Sequence, residues 1–467
     1  MCADLAICSL SLLLAADLMD RTVWDHGTLL LRDPLRQILA TVVLSLCWHV
    51  SLVLTGAYQS YRGASFKDQA LALARGSTLA TFWVAVWLAA SRASSGVSGR
   101  SFLTELTLFW TFTTASFLIT RAVGLISMIA FRKHGRNLRS VLIVGSNQRA
   151  VTLADKLLSD THLGYELLGF VDDCWHFDQA PQRHRNNLLC DLNGLLPLIR
   201  TTAIDEVVVA LPIASHYRLI EQILDQCSQQ GIAVAFEASL FENIRSPFEG
   251  DERLHGMMTL YDATPVQWTA GAKRIIDMFL SGLALLALSP VLIGVAIAIK
   301  VTSPGPVFFM QERLGLGKRR FKIIKFRTMV TNAESLLKEL EHLNQSGGPT
   351  FKLARDPRIT RIGAFLRRTS LDELPQLLNV FRGDMSLVGP RPLPLRDYQG
   401  FSQDWHRRRF SVRPGITCIW QVAGRSSITF ERWMELDMDY IDRWSLWLDF
   451  TILVQTIPAV FRGSGAM

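Results

Sequence analysis

Hydrophobic and polar positions follow three different rhythms along this chain. Before residue 132, apolar stretches run from about Leu5 to Met19, Leu35 to Tyr58, Ala70 to Ala93 and Phe102 to Phe131. A hydrocarbon core about 30 Å thick needs about 20 helical residues. The pattern therefore predicts four membrane spans, the first marginal at its ends. From Ser140 the rhythm shortens: "VLIVGS", "LLGFVDD", "DEVVVALP" and "AVAFEA" read as strands, separated by the helical runs "RAVTLADKLL", "LNGLLPLIR" and "LIEQILDQCSQQG". Strands and helices in that alternation predict a parallel, doubly wound sheet.

The third rhythm is one long apolar run, Ile275 to Val301, interrupted by Ser289-Pro290. Its length suits a transmembrane helix. A proline inside a helix, however, removes an amide donor and crowds the preceding turn. Basic residues flank both ends, Lys273 and Arg274 before and Lys300, Arg313, Lys318, Arg319 and Arg320 after. Positive flanks favour the cytoplasmic side, so a re-entrant helix that breaks at Ser289 and Pro290 is expected rather than a fifth span. The partition is then residues 1–135 as a four-helix transmembrane domain, 136–264 as a Rossmann-like α/β domain, and 265–467 as a monotopic, mainly α-helical catalytic domain.

Charge and cysteine content narrow the function. The chain has 467 residues, 49% of them hydrophobic, with 49 Lys and Arg against 41 Asp and Glu, a net charge of +8. Basic segments beside apolar ones favour a membrane carrying anionic headgroups, or phosphorylated ligands, over nucleic acid. The seven cysteines are scattered without Cys-x-x-Cys spacing, which gives neither a disulfide framework nor a zinc site. No basic leader with a small-residue cleavage site precedes the first apolar run, so that run is expected to be retained. The basic cluster after the fourth span, Arg132 to Arg139, places that end, and with four crossings the N-terminus, in the cytoplasm.

The sheet domain opens with Gly145-Ser-Asn147-Gln-Arg-Ala150. Asn147 stands where a dinucleotide fingerprint needs its second glycine, and Asp172 stands where a ribose-binding acid would sit. Ligand binding there is left open against a structural or regulatory role.

Candidate chemistry concentrates further on. From Arg313 to Arg327 there are seven basic residues and no acidic one, Lys325 and Arg327 among them. Next comes "RRTSLDELPQLLNVFRGDMSLVGPRP", where Asp372 and Glu373 lie among Arg367, Arg368, Arg382 and Arg391. Ser370 to Glu373 fits a helix capping box. Paired carboxylates surrounded by cations at a membrane suit phosphoryl transfer to a lipid, with arginines and Mg²⁺ offsetting the repulsion between carboxylate and phosphate. Retaining-glycosidase chemistry needs two opposed carboxyls and no arginines.

From about Ala272 onward the chain resembles the bacterial polyprenyl-phosphate hexose-1-phosphate transferases, in their large form with spans and a Rossmann-like insert. The blocks that carry the resemblance are "KRIIDMFLSGLALLALSPVLI", "TSPGPVFFMQERLG", "FKIIKFRTM", the carboxylate segment above, "RPGITCIWQVAGR" and "LDMDYIDRWSLWLDF". The resemblance implies that Asp372 is a nucleophile that takes hexose-1-phosphate, glucose-1-phosphate first, from a UDP-hexose and releases UMP. Undecaprenyl phosphate then attacks the aspartyl-bound phosphosugar, which starts an exopolysaccharide or O-antigen unit. Glu373 would be its partner in metal binding or lipid activation, so Mg²⁺ is expected on Asp372 and Glu373. Arg367 and Arg391, with Lys325 and Arg327, would bind phosphate. A helix dipole is expected to lower the pKa of Asp372.

The chain is expected in the bacterial inner membrane, with both soluble domains cytoplasmic; a homodimer, the hexose and the pathway stay open. Cys418 and Ser426 depart from the family's Gly and Asn. A non-catalytic membrane scaffold is the alternative.

Overall fold

The computed structural model describes residues 7–12, 14, 34–57, 66–92, 99–133, 138–159, 164–175, 182–237, 257–261, 267–343, 353, 356–423 and 428–462. It divides into two compact units. One comprises residues 1–138, 160–164 and 241–257; the other comprises 139–159, 165–240 and 258–467, so the sheet and catalytic segments share a unit.

The first unit contains helices α1 (Pro34–Leu54), α2 (Phe66–Arg92) and α3 (Gly99–Lys133). Trp48 stacks on Phe109 at 6.0 Å, and Ser77 and Thr114 hydroxyls meet at 2.7 Å. Among the described residues, three helices are long and apolar enough to cross a membrane: Gln69–Ala89, Phe102–Arg132 and Thr269–Thr302. Val43–Leu54 forms a shorter apolar helix. Most of the expected first span lies outside the described residues.

The second unit begins with strands β1 (Arg139–Val144), β2 (Tyr165–Val171), β3 (Leu188–Cys190), β4 (Glu206–Val209), β5 (Ala233–Glu237) and β6 (Met257–Tyr261). Their order is β3-β2-β1-β4-β5-β6, and the pairings from β3 to β5 are parallel. Helices α4 (Gln148–Ser159), α5 (Leu195–Thr201) and α6 (Ile213–Gln230) alternate with the strands. Val141 to Val144 and Val207 to Val209 are fully buried, as expected for strands covered on both faces. The doubly wound expectation holds. The short β3 and the separated β6 had no alternation long enough to predict them.

Helix α7 (Gln267–Thr302) then runs for 36 residues and includes Pro290. The expected break is not an interruption of the helix. Pro290 cannot donate to the carbonyl of Leu286, four residues back; the Ser289 hydroxyl donates to that carbonyl instead, at 2.8 Å. Both arms of α7 pack on the same catalytic body. Near its start, Arg274 donates to the Phe381 carbonyl at 2.8 Å, and the Asp277 carboxylate accepts from the Leu387 amide at 3.1 Å. Near its end, Ile299 is buried with Phe326 and Leu366, flanked by Leu292, Val295 and Leu371. Between the arms, Leu283 and Leu286 are exposed.

The catalytic body is built on an antiparallel hairpin, β7 (Phe308–Leu314) and β8 (Arg320–Phe326). Around it lie α8 (Arg361–Arg368), a 3-10 helix (Leu371–Gln376), α9 (Leu377–Arg382), the parallel pair β9 (Ser386–Val388) and β10 (Gly415–Thr417), α10 (Phe430–Asp442) and α11 (Leu446–Arg462). Helix α11 carries an exposed stripe, Trp447, Phe450, Val454 and Ile457, at helical spacing.

Candidate active site

Strand β8 and the 3-10 helix form the floor of the site. Asn379 is fully buried on α9 and fastens the two. Its Oδ1 accepts from the Ile324 amide at 3.0 Å and its Nδ2 donates to the Lys322 carbonyl at 2.8 Å. This fixes the strand that carries Lys325 against the helix that follows the carboxylates. Asn379 escaped the sequence reading because a lone Asn inside an apolar run carries no charge pattern.

The capping box expected from Ser370 to Glu373 does not form. Ser370 is left-handed, with φ of 57°, and its side chain makes no capping hydrogen bond. The Glu373 carboxylate turns elsewhere: Oε1 accepts from Lys325 Nζ at 2.8 Å and from Arg391 at 2.6 Å. Two charge-assisted bonds outweigh one bond to a backbone amide, so the capping geometry is given up.

Asp372 and Glu373 are thereby placed in opposite states. Glu373 is held well below the usual carboxylate range by Arg391 and Lys325 despite its burial. Asp372 is buried and makes no side-chain hydrogen bond or ion pair with another described residue. Burial, reinforced by the neighbouring Glu373 charge, raises it to about 6. The expected lowering by the helix dipole is therefore reversed: the element is a short 3-10 helix, and desolvation dominates. Burial also pulls Lys325 down, while the Glu373 charge raises Arg391. Burial and Arg391 lower Arg313 to about 10; it lines the same small cleft as Lys325, Gln376 and Arg391.

The turn bearing Arg391 is held from both sides. On its entry side, the Val388 carbonyl accepts from Lys273 Nζ at 2.9 Å and from the Tyr440 hydroxyl at 3.0 Å, and Asp449 engages both donors. On its exit side, Arg409 donates to the Arg391 carbonyl at 2.7 Å. Arg409 is itself buried 2.9 Å from the Asp437 carboxylate, and its guanidinium lies over Trp433. Asp437 is raised to about 6 by burial, an effect Arg409 only partly offsets. Gly389 and Gly415 bring the two turns into backbone contact, and a Cβ on Gly415 would lie 2.1 Å from the Gly389 amide nitrogen.

Other expected site residues are distributed unevenly. Arg367 donates to the Thr328 hydroxyl at 3.1 Å and lies within electrostatic reach of Asp372. Arg327 is not brought to the carboxylates. Its guanidinium donates to the carbonyls of Ser303 and Pro304, at 2.9 and 2.8 Å, and so closes the end of α7. Cys418 is buried within electrostatic reach of Arg391, and burial raises its thiol. Ser426 lies outside the described residues.

No cluster of three or more acidic, His or Cys side chains that could hold a metal occurs among the described residues. Lys325 and Arg391 both sit on Glu373 Oε1, so the Asp372 carboxylate and Glu373 Oε2 are the oxygens of the pair that could take a metal.

Residues 268–463 match the family model for bacterial sugar transferases, and residues 53–238 match that for a CoA-binding domain. The chain is 32% identical over 380 residues to the galactosyl transferase CpsE of Streptococcus agalactiae serotype III, which covers 79% of this chain and 82% of that protein. The chain belongs to the bacterial sugar transferase family. It is also 30% identical over 424 residues to the UDP-glucose:undecaprenyl-phosphate glucose-1-phosphate transferase of Escherichia coli K12, covering 88% of this chain and 85% of that one. The undecaprenyl-phosphate galactose phosphotransferase of Salmonella typhimurium is 30% identical over 336 residues, covering 70% and 69%. Relatives named for either hexose thus match this chain over most of its length, and the chain is a transferase.

Proposed function

We propose that this transferase moves hexose-1-phosphate, glucose-1-phosphate in the first instance, from a UDP-sugar to undecaprenyl phosphate during exopolysaccharide or O-antigen synthesis. The observation that carries the reading is the open Asp372 carboxylate beside a Glu373 already neutralised by Lys325 and Arg391. An Asp372 oxygen attacks the phosphorus that bears the sugar, and the bond to UMP breaks, with UMP leaving on its oxygen. A phosphate oxygen of the lipid then attacks the same phosphorus, which frees the Asp372 carboxylate and gives the diphosphate-linked sugar. With a pKa of about 6, Asp372 is mostly ionised at neutral pH yet poorly solvated, which favours attack.

Lys325, Arg391 and Arg313 line the cleft where phosphate charge would be offset. Mg²⁺, held by Asp372 together with the donor phosphates, would supply further charge neutralisation.

The inner membrane, with the catalytic and sheet domains in the cytoplasm, is where UDP-sugars and the lipid acceptor meet. Re-entry of α7 is the topology we favour, supported by its two arms packing on one body and by its basic flanks. The scaffold alternative has little support, because an isolated structural role gives no reason to bury an unpaired carboxylate.

Purified protein with UDP-glucose, undecaprenyl phosphate and Mg²⁺ should release UMP. Release of UDP, or no nucleotide release with any UDP-sugar, would contradict the proposal.

A further inference from the structure

The sheet domain matches a model named for coenzyme A, and its strand order places a crevice between the carboxyl ends of β1 and β4, where such folds bind nucleotides. Here the chain's own atoms occupy that position. Gly145, with φ of 111°, brings the turn after β1 against Ala210 and Leu211 at the end of β4. Asn147 bridges the gap: its Nδ2 donates to the Ala210 carbonyl at 2.6 Å, and its Oδ1 accepts from the Ala150 amide at 3.1 Å. That amide lies in the first turn of α4, where a pyrophosphate would be received. Asp172, in the ribose-binding position, is buried and accepts from the Ser146 hydroxyl at 2.7 Å and from the Asp173 amide at 2.9 Å. The groups a nucleotide would use are already satisfied.

The opposite end of the strands is occupied differently. There the ends of α5 and α6 and the residue before β4 meet the turn of the β7–β8 hairpin. Arg319 makes a two-pronged contact with Asp205, at 2.9 and 2.6 Å. Lys318, left-handed with φ of 62°, inserts its ammonium between the Ile199 carbonyl and Gln230 Oε1, the latter at 2.9 Å. Alongside, Asp404 of the catalytic body accepts from Arg200, Gln230 and Arg407. The hairpin turn is thus clamped by the sheet domain, while Lys325, on the strand that leaves that turn, holds Glu373.

We propose that the sheet domain is a brace that positions Lys325 through the β7–β8 hairpin, and that its crevice takes neither coenzyme A nor a dinucleotide. The first half rests on the transferase reading of the Lys325 and Glu373 pair. Lys325 acts at the carboxylate pair, whereas the Lys318 ammonium is engaged by Ile199 and Gln230 of the sheet domain, so Lys318 is a positioning residue.

The test uses the full chain in nanodiscs. Lys318→Met should raise amide hydrogen exchange across residues 320–326 and lower kcat for UMP release about tenfold, at a near-constant KM for UDP-sugar, as expected for a sub-ångström misplacement. Lys318→Arg, which keeps the donors, should restore both. Unchanged kcat in Lys318→Met, or a fall in kcat that Lys318→Arg shares, overturns the brace. Millimolar coenzyme A or NAD should leave the wild-type melting temperature unchanged; stabilisation that Asn147→Ala abolishes overturns the second half. If the wild type releases no UMP, the transferase reading fails by itself, and exchange across residues 320–326 decides the brace.

Discussion

Asp372 and Glu373 are consecutive residues held differently: one oxygen of Glu373 accepts from both Lys325 and Arg391, while the Asp372 carboxylate makes no side-chain hydrogen bond or close ion pair with another described residue and feels Lys325, Arg367 and Arg391 only at longer range. Two titratable groups pushed apart in this way divide the labour of a site. Glu373 fixes the cations, and Asp372 is left to react.

That division has a cost visible in stability. A carboxyl whose folded pKa is raised binds its proton more tightly when folded, so stability falls as pH rises from about 4 through about 6. Asp372→Asn removes this penalty. The variant should be more stable than the wild type at pH 7 to 8, by up to about 3 kcal/mol, and the difference should vanish below about pH 4. Denaturant titrations at the two pH values measure it, and a less stable variant at pH 8 would contradict the burial argument.

Glu373→Gln should behave in the reverse sense. It leaves Lys325 and Arg391 buried without their counter-charge, which typically costs about 3 to 5 kcal/mol. Melting temperature and UMP release should both fall sharply. A stable, active Gln variant would show that the paired cations are placed by other contacts.

The Arg391 turn depends on a pair remote from the carboxylates. Arg409→Lys keeps a positive charge but loses the guanidinium whose Nη2 meets both the Arg391 carbonyl and Asp437 and whose plane lies over Trp433. A rise of about tenfold in KM for UDP-sugar is expected, with a smaller change in kcat. Steady-state kinetics at saturating lipid acceptor would show it; an unchanged KM would mean the turn holds Arg391 without help.

Much of this was legible in the sequence, and the failures have physical causes. The doubly wound sheet followed from short apolar strands alternating with helical runs. Lys325 and Arg327, two residues apart, would share a strand face; β8 ends at Phe326, and beyond it Arg327 turns to the carbonyls at the end of α7. Ser370 matched a capping box by letter, but the competition for Glu373 came from Lys325, 48 residues away, which no local pattern records. Arg409 and Asp437 read as unrelated charges until the fold buried them together.

At Ser289 and Pro290 the helix continues where a break was expected, with the Ser289 hydroxyl on the Leu286 carbonyl. Ser289→Ala leaves the Leu286 carbonyl without a donor in an apolar setting, which should cost about 1 to 3 kcal/mol. Adding Pro290→Ala returns an amide to that carbonyl, so the double variant should recover most of the loss. Unfolding in nanodiscs tests this, and additive losses would contradict the compensation.

The most direct test of the central claim is mass spectrometry of the protein after incubation with UDP-glucose and Mg²⁺ without lipid acceptor. A single hexose phosphate on the peptide containing Asp372, absent from Asp372→Asn and discharged by adding undecaprenyl phosphate, is the predicted result. UMP release by Asp372→Asn at the wild-type rate, or an adduct on any other residue, would contradict it.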